Sequence, residues 1–199
     1  MKLLYAYSPN ARPSEQIETL AFVKDVESRG ICEVVYGNTD KKDYAELLNE
    51  AFEQKETFIL LEQDIVPTIS QLEELINADY PIACYNYMLP SHNLVCRNYK
   101  QVSRMNGREI YGDPEYNALD NFYDFYGFGF TKFSHPVCDF NFKLIIDNLY
   151  NNPPDFLYNL IKNDKNKWHI LDTLFSYYTS IKGYKAKSLG IVKHNHKTF

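Results

Sequence analysis

Two carboxylates one residue apart, in Glu62-Gln63-Asp64, follow directly on the apolar run Thr57-Phe58-Ile59-Leu60-Leu61. Alternate side chains of an extended chain point to the same side, so this pair can share one hard cation, or a cation that arrives bound to a diphosphate. Magnesium and manganese accept a few carboxylates and keep positions open for phosphate oxygens. There they neutralise the charge that gathers on a departing diphosphate. The bland alternative is a pair of solvated acids at a strand end. Near the other end of the chain, His194 and His196 have the same alternate spacing, which is also compatible with a metal.

The elements around these residues decide whether they can meet. Leu3-Leu4-Tyr5-Ala6-Tyr7 reads as a strand ended by the loop Ser8-Pro9-Asn10, and Ser14 opens a helix whose apolar positions are Ile17, Leu20, Ala21 and Val26. Gly30 can stop that helix. Glu33-Val34-Val35-Tyr36 is a second strand, and Asp40 or Asp43 can start a helix carrying Tyr44, Leu47, Leu48, Ala51 and Phe52. The run ending at Leu61 has the uniform apolarity of a strand covered on both faces. A helix over about Ser70 to Asn77 and a strand over Pro81 to Tyr87 continue the alternation.

Such alternation predicts an α/β fold with a mainly parallel central sheet flanked by helices and joined by right-handed crossovers. Ligands of open α/β sheets bind outside the carboxyl ends of the strands, so Ser8, Asp40 and Asp64 are expected to gather there. Residues 90–120 are polar and punctuated by Gly107, Gly112 and Pro114, which indicates loops or a small antiparallel excursion. A strand-like pattern resumes from Tyr123 to Phe133 around Gly127 and Gly129. Helices follow around Phe142, Ile145, Ile146 and Leu149 and from about Leu171 to Ile181, before a last strand from Ala186 that leads to His194.

At 199 residues the chain suits a single domain. With 45% hydrophobic and 24% charged residues it can bury a core. The net charge of -5 lacks the basic excess of nucleic-acid binders, so no nucleic acid is expected as a partner. The first residues turn polar too soon for a signal peptide, and no run approaches the roughly 18 apolar residues of a transmembrane helix. A cytoplasmic protein is therefore expected. The four cysteines have no CxxC spacing, which argues against a zinc cluster and for ordinary reduced, partly buried thiols. The 17 Tyr and 13 Phe supply buried area first, and only secondarily a surface on which sugar rings could stack.

The segment Phe58-Ile59-Leu60-Leu61-Glu62-Gln63-Asp64-Ile65-Val66-Pro67 resembles the apolar strand and DxD-type motif of GT-A fold glycosyltransferases. The helical Ser70-Gln71-Leu72-Glu73-Glu74-Leu75 follows it as in that family. The resemblance implies a nucleoside diphosphate sugar as donor, a glycan or protein as acceptor, and manganese or magnesium as cofactor, with 1–88 as the nucleotide-binding half and 89–199 as the acceptor-side half. By the same resemblance Asp64 would bind the metal, Glu62 would hold the donor's ribose or sugar, and Gln63 replaces an acid that makes a secondary sugar contact. Ser8 would border the base and Asp40 the base or ribose. Gly127 and Gly129 would let backbone approach the acceptor and donor phosphates. In Trp168-His169-Ile170-Leu171-Asp172, Trp168 would lie on the acceptor side and Asp172 would be the general base of an inverting reaction, although an aspartate there also suits a helix N-cap. Members commonly bring a C-terminal histidine to the metal, and His194, nearer the strand, is the better placed.

Two other functions stay open at this level. A nucleotidyltransferase would use a similar acid edge, but Ser8-Pro9-Asn10-Ala11-Arg12-Pro13 has no glycine and one arginine where a triphosphate needs a glycine-rich basic loop. A non-catalytic sugar- or protein-binding module would keep the fold with the acids merely structural.

Overall fold

The computed structural model describes residues 1–88, 95–96, 101–105, 108–111, 121–163 and 170–195. Strand β1 (Lys2–Tyr7) leads to helix α1 (Pro13–Arg29), β2 (Glu33–Asn38), α2 (Tyr44–Glu53) and β3 (Phe58–Glu62). After these come the short β4 (Ile65–Val66), α3 (Ile69–Asn77) and β5 (Ile82–Asn86). The antiparallel hairpin of β6 (Gln101–Met105) and β7 (Arg108–Tyr111) is the small excursion expected between residues 90 and 120. The second half holds β8 (Phe122–Tyr123), β9 (Phe130–Phe133), α4 (Phe142–Asn151), α5 (Asp155–Asn163), α6 (Leu171–Ile181), β10 (Ala186–Ile191) and β11 (Lys193–His194).

Seven strands form one mixed sheet in the order β2-β1-β3-β9-β5-β10-β8. β1 pairs in parallel with β2 and β3, and β5 with β10, whereas β9 lies antiparallel between β3 and β5 and β8 antiparallel on β10. Five of the seven strands therefore share one direction. The exception at the centre has a topological cause: β9 follows the long excursion after β5 rather than a crossover helix, so it can enter the sheet head-down.

Alternation along the strands sends Leu4, Ala6, Phe58 and Leu60 to one face and Leu3, Tyr5, Ile59 and Leu61 to the other. The first face packs against α2, α4 and α6. Phe52 there has ring neighbours Phe58, Phe133, Phe142 and Phe175 at 4.9 to 5.3 Å between centroids. Most of the phenylalanine excess thus fills the core. The second face packs against α1 and α3. Helix α1 buries Thr19, Phe22, Val23 and Val26, while Ile17 is 65% exposed, so the face expected from Ile17, Leu20, Ala21 and Val26 is rotated. Proline at the first helical position and Gly30 at φ 63 bound this helix.

Capping chemistry fixes the helices that flank the carboxyl edge. Asp43, not Asp40, caps α2, accepting a hydrogen bond from Ala45 N at 2.8 Å. Thr68 and Gln71 form a reciprocal capping box at the start of α3. At the far end of α3, the buried Lys132 ammonium donates to Ile76 O and Ala78 O at 2.8 Å, satisfying carbonyls that the helix leaves open. Asp172 is the second residue of α6, whose N-cap position is Ile170, so the aspartate is not the cap. Helix α5 was not signalled by the reading above, although Asp155 after Pro153-Pro154 and the spacing Phe156, Leu157, Leu160, Ile161 fit one. Among the described residues no helix is long and apolar enough to cross a membrane.

Candidate active site

β3 ends at Glu62, and Gln63 and Asp64 form the turn into β4. The buried Thr19 hydroxyl of α1 donates to Ile65 O at 2.8 Å and anchors the chain just after the acids. β4 pairs antiparallel with β11, matching Ile65 with His194, and Asn195 N donates to Asp64 O at 2.7 Å. A ladder of backbone bonds therefore carries the histidine to the aspartate across 130 residues of sequence. His194 Nε2 lies 3.1 Å from Asp64 Oδ2, and its Nδ1 lies 2.8 Å from Met88 O. The His194 side chain is 7% exposed and that of Asp64 23%, so the carboxylate is the more open to solvent of the two.

The electrostatics are those of a crowded cluster of acids. Burial pushes the Glu62 carboxyl up to about 7; the charge of Asp64 and, more weakly, of Asp172 add to this, against the hydrogen bond it accepts from Tyr44 Oη at 2.5 Å and the His194 charge. Glu62 is thus within electrostatic range of Asp64, Asp172 and His194 together. Burial opposes charge on His194, but its bonds to Asp64 and Met88 O outweigh that and hold its pKa above the ordinary range. The Asp172 carboxylate accepts from Thr173 N at 2.6 Å, which fixes it in the first turn of α6.

The expected nucleotide side is a connected network. Ser8 N donates to Gln63 Oε1 at 2.6 Å, and Asp40 accepts from Ser8 Oγ and Asn10 Nδ2, each at 2.6 Å. Gln63 therefore ties the loop after β1 to the acid turn, and Asp40 ties that loop to the end of β2. Ser8, Asp40, Glu62, Gln63, Asp64, Asp172 and His194 all fall at one edge of the sheet or beside it. Trp168 and His196 lie outside the described residues.

Gly127 and Gly129 also reach this edge, and their neighbours are part of the protein. A Cβ on Gly127 would come within 2.3 Å of Tyr87 Oη, and one on Gly129 within 2.7 Å of Tyr87 Cε1 and 2.9 Å of Ile65 Cγ1. The two glycines make room for the buried Tyr87 ring, which packs on the His194 ring at 5.0 Å. Gly129 O also accepts from Glu62 N at 2.9 Å, extending the sheet to the acid itself. Gly129→Ala is expected to cost about 1–3 kcal/mol of stability, as overpacking does. It should also disturb His194 through Tyr87, which denaturant unfolding and metal binding on the same variant would measure.

Tyr44, Tyr87 and Met88 O were not anticipated from the sequence. Tyr87 follows the carboxyl end of β5, so the rule that ligands gather at strand ends could have found it. Tyr44 was read only as part of an apolar helix face, and a backbone carbonyl carries no sequence signal.

The donor set fits a hard or borderline divalent ion: a carboxylate and an imidazole 3.1 Å apart, with Glu62 beside them. Tyr5 Oη, close enough for the Asp64 charge to act on it, is buried with no hydrogen-bond partner among the described residues. Two such donors would leave most of a coordination sphere to oxygens from elsewhere, as in sites that bind a metal through substrate phosphates.

No protein-family model matches the sequence, and no curated protein is similar to it. Among solved structures, the fold is similar to that of A197 from STIV, with a TM-score of 0.54 and 16% identity over 100% of this chain and 87% of that one. A glycosyltransferase involved in the glycosylation of the major capsid of PBCV-1 aligns with a TM-score of 0.48 and 11% identity, over 95% of this chain and 81% of that one. At 16% identity the likeness to A197 concerns the fold alone.

Proposed function

We propose that the chain is a metal-dependent glycosyltransferase of the GT-A type, moving a sugar from a nucleoside diphosphate sugar to an acceptor hydroxyl with inversion at the anomeric carbon. The observation that carries this reading is the meeting of Asp64 and His194 at the carboxyl edge of the sheet, within range of Glu62, on which the charge of Asp172 also acts. Manganese or magnesium, bound by Asp64 and His194 and by the donor's phosphates, would neutralise the departing diphosphate. Glu62 and Gln63 hold the ribose or sugar, while Ser8 and Asp40 border the nucleoside. Asp172 takes the proton of the acceptor hydroxyl as its oxygen attacks the anomeric carbon, opposite the leaving nucleotide. The Gly127–Gly129 segment and Trp168 belong to the acceptor side, where a glycan or a protein presents the hydroxyl.

Calorimetric titration with UDP and GDP, with and without manganese, tests this directly. Binding of either nucleotide that requires the metal is the expected result. Failure of every common nucleoside diphosphate to bind, with metal present, would favour a non-catalytic module on the same fold.

A further inference from the structure

The opposite edge of the sheet carries a second group of donors. β9 runs away from the acids: Phe130 pairs with Leu61 next to Glu62, and Phe133 pairs with Phe58 and Ile82 at the amino ends of β3 and β5. The chain leaves the sheet there, Ser134 N donates to Pro81 O at 2.9 Å, and a 3₁₀ turn, Val137–Asp139, follows before α4. This turn brings His135, Cys138 and Asp139 together. One ligand atom from each lies within 4.8 Å of the other two, and His135 Nδ1 is 3.0 Å from Asp139 Oδ2. Among the described residues this is the one trio of histidine, cysteine and acid donors so closely grouped.

The three differ in a way that suits an ion entering from solvent. His135 and Asp139 are exposed, whereas Cys138 is fully buried and forms the inner wall. Burial, with the Asp139 charge adding to it, pushes the Cys138 thiol up to about 11, so a cation must displace its proton. A thiolate is a poor ligand for magnesium or manganese, whereas thiolate and imidazole together suit zinc or cobalt. Three protein ligands with water in a fourth position is a common zinc arrangement. Strand β9 separates this group from Asp64, so one ion cannot serve both.

We propose that His135, Cys138 and Asp139 form a second cation site, taking a borderline divalent ion such as zinc and pinning the turn between β9 and α4. The reading is independent of the glycosyltransferase assignment, since no residue is shared.

Cobalt(II) titration of the full chain under reducing conditions provides the test. The expected result is one ion per chain that gives a thiolate-to-cobalt charge-transfer band and tetrahedral visible absorption, whatever cobalt Asp64 and His194 also take. The band should vanish in Cys138→Ser and bind at least about tenfold more weakly in His135→Asn, whose exposed position spares the fold. It should be unchanged in Asp64→Asn, where nucleotide binding is the quantity that falls. No thiolate band in the native chain with cobalt in excess would overturn the proposal. So would a band that survives in Cys138→Ser, which would point instead to Cys84 and Cys96, whose sulfurs lie 3.6 Å apart.

Discussion

Asp172→Asn is expected to lower turnover by about 10²- to 10⁴-fold, the range a positioned general base contributes, while manganese-dependent nucleotide binding changes by no more than a few-fold. The substitution is chosen for what it keeps. An asparagine oxygen still accepts from Thr173 N, now 2.6 Å from the carboxylate, so the first turn of α6 stays in place. What is lost is the capacity to hold a proton at that atom. A single-turnover assay with any accepted donor and acceptor reads the chemical step, and calorimetry on the same variant reads binding. Turnover that survives within tenfold would remove Asp172 from the base role, and with it the argument for inversion.

The second large effect is at Asp64. Asp64→Asn is expected to weaken nucleoside diphosphate binding in manganese by about a hundredfold or more, at or beyond the top of the range for removing an outer-shell partner. The residual binding should no longer depend on the metal. The physical reason is charge: an asparagine oxygen can still accept from His194 Nε2, but the carboxylate charge beside the imidazole, which would face the cation, disappears. Removing that charge also relieves part of the pressure on Glu62, whose pKa should move down from about 7 toward that of an ordinary carboxylate, with burial still holding it up. Thermal unfolding separates this from collapse, since Asp64 lies in a turn and is 23% exposed on its side chain. Unaltered manganese-dependent affinity in this variant would place the metal elsewhere.

The site was legible in the sequence where its geometry is local. An apolar strand running into Glu62-Gln63-Asp64 fixes the acids at a carboxyl edge, because a strand covered on both faces can only expose its ends. The helices α4 and α6 were legible for a similar reason, their apolar residues recurring within one turn. The phase of α1 was misread because Thr19 is buried through a hydrogen bond rather than by hydrophobicity, so the apolar count favoured Ile17. The insertion of β9 and the pairing of β4 with β11 are set by partners far along the chain, such as Ile65 for His194 and Cys84 for Thr131, and period-2 alternation in a four-residue or two-residue strand cannot name a partner. Gly127 and Gly129 were read as openings toward a ligand. Their neighbour Tyr87 could be identified only once β5 and β9 were side by side.

The two-residue pairing of β4 with β11 also sets a schedule. Every acid of the cleft is made before residue 173, but the imidazole arrives only at residue 194, and the bond that seats it, Asn195 N to Asp64 O, one residue later. During synthesis, domains fold from the amino end as chain emerges, so β1, β2 and β3 with the acid turn can assemble long before their histidine exists. A nascent chain would carry the carboxylates without the group that orients Asp64, and competence would switch on over the last few residues of this stretch rather than grow with length.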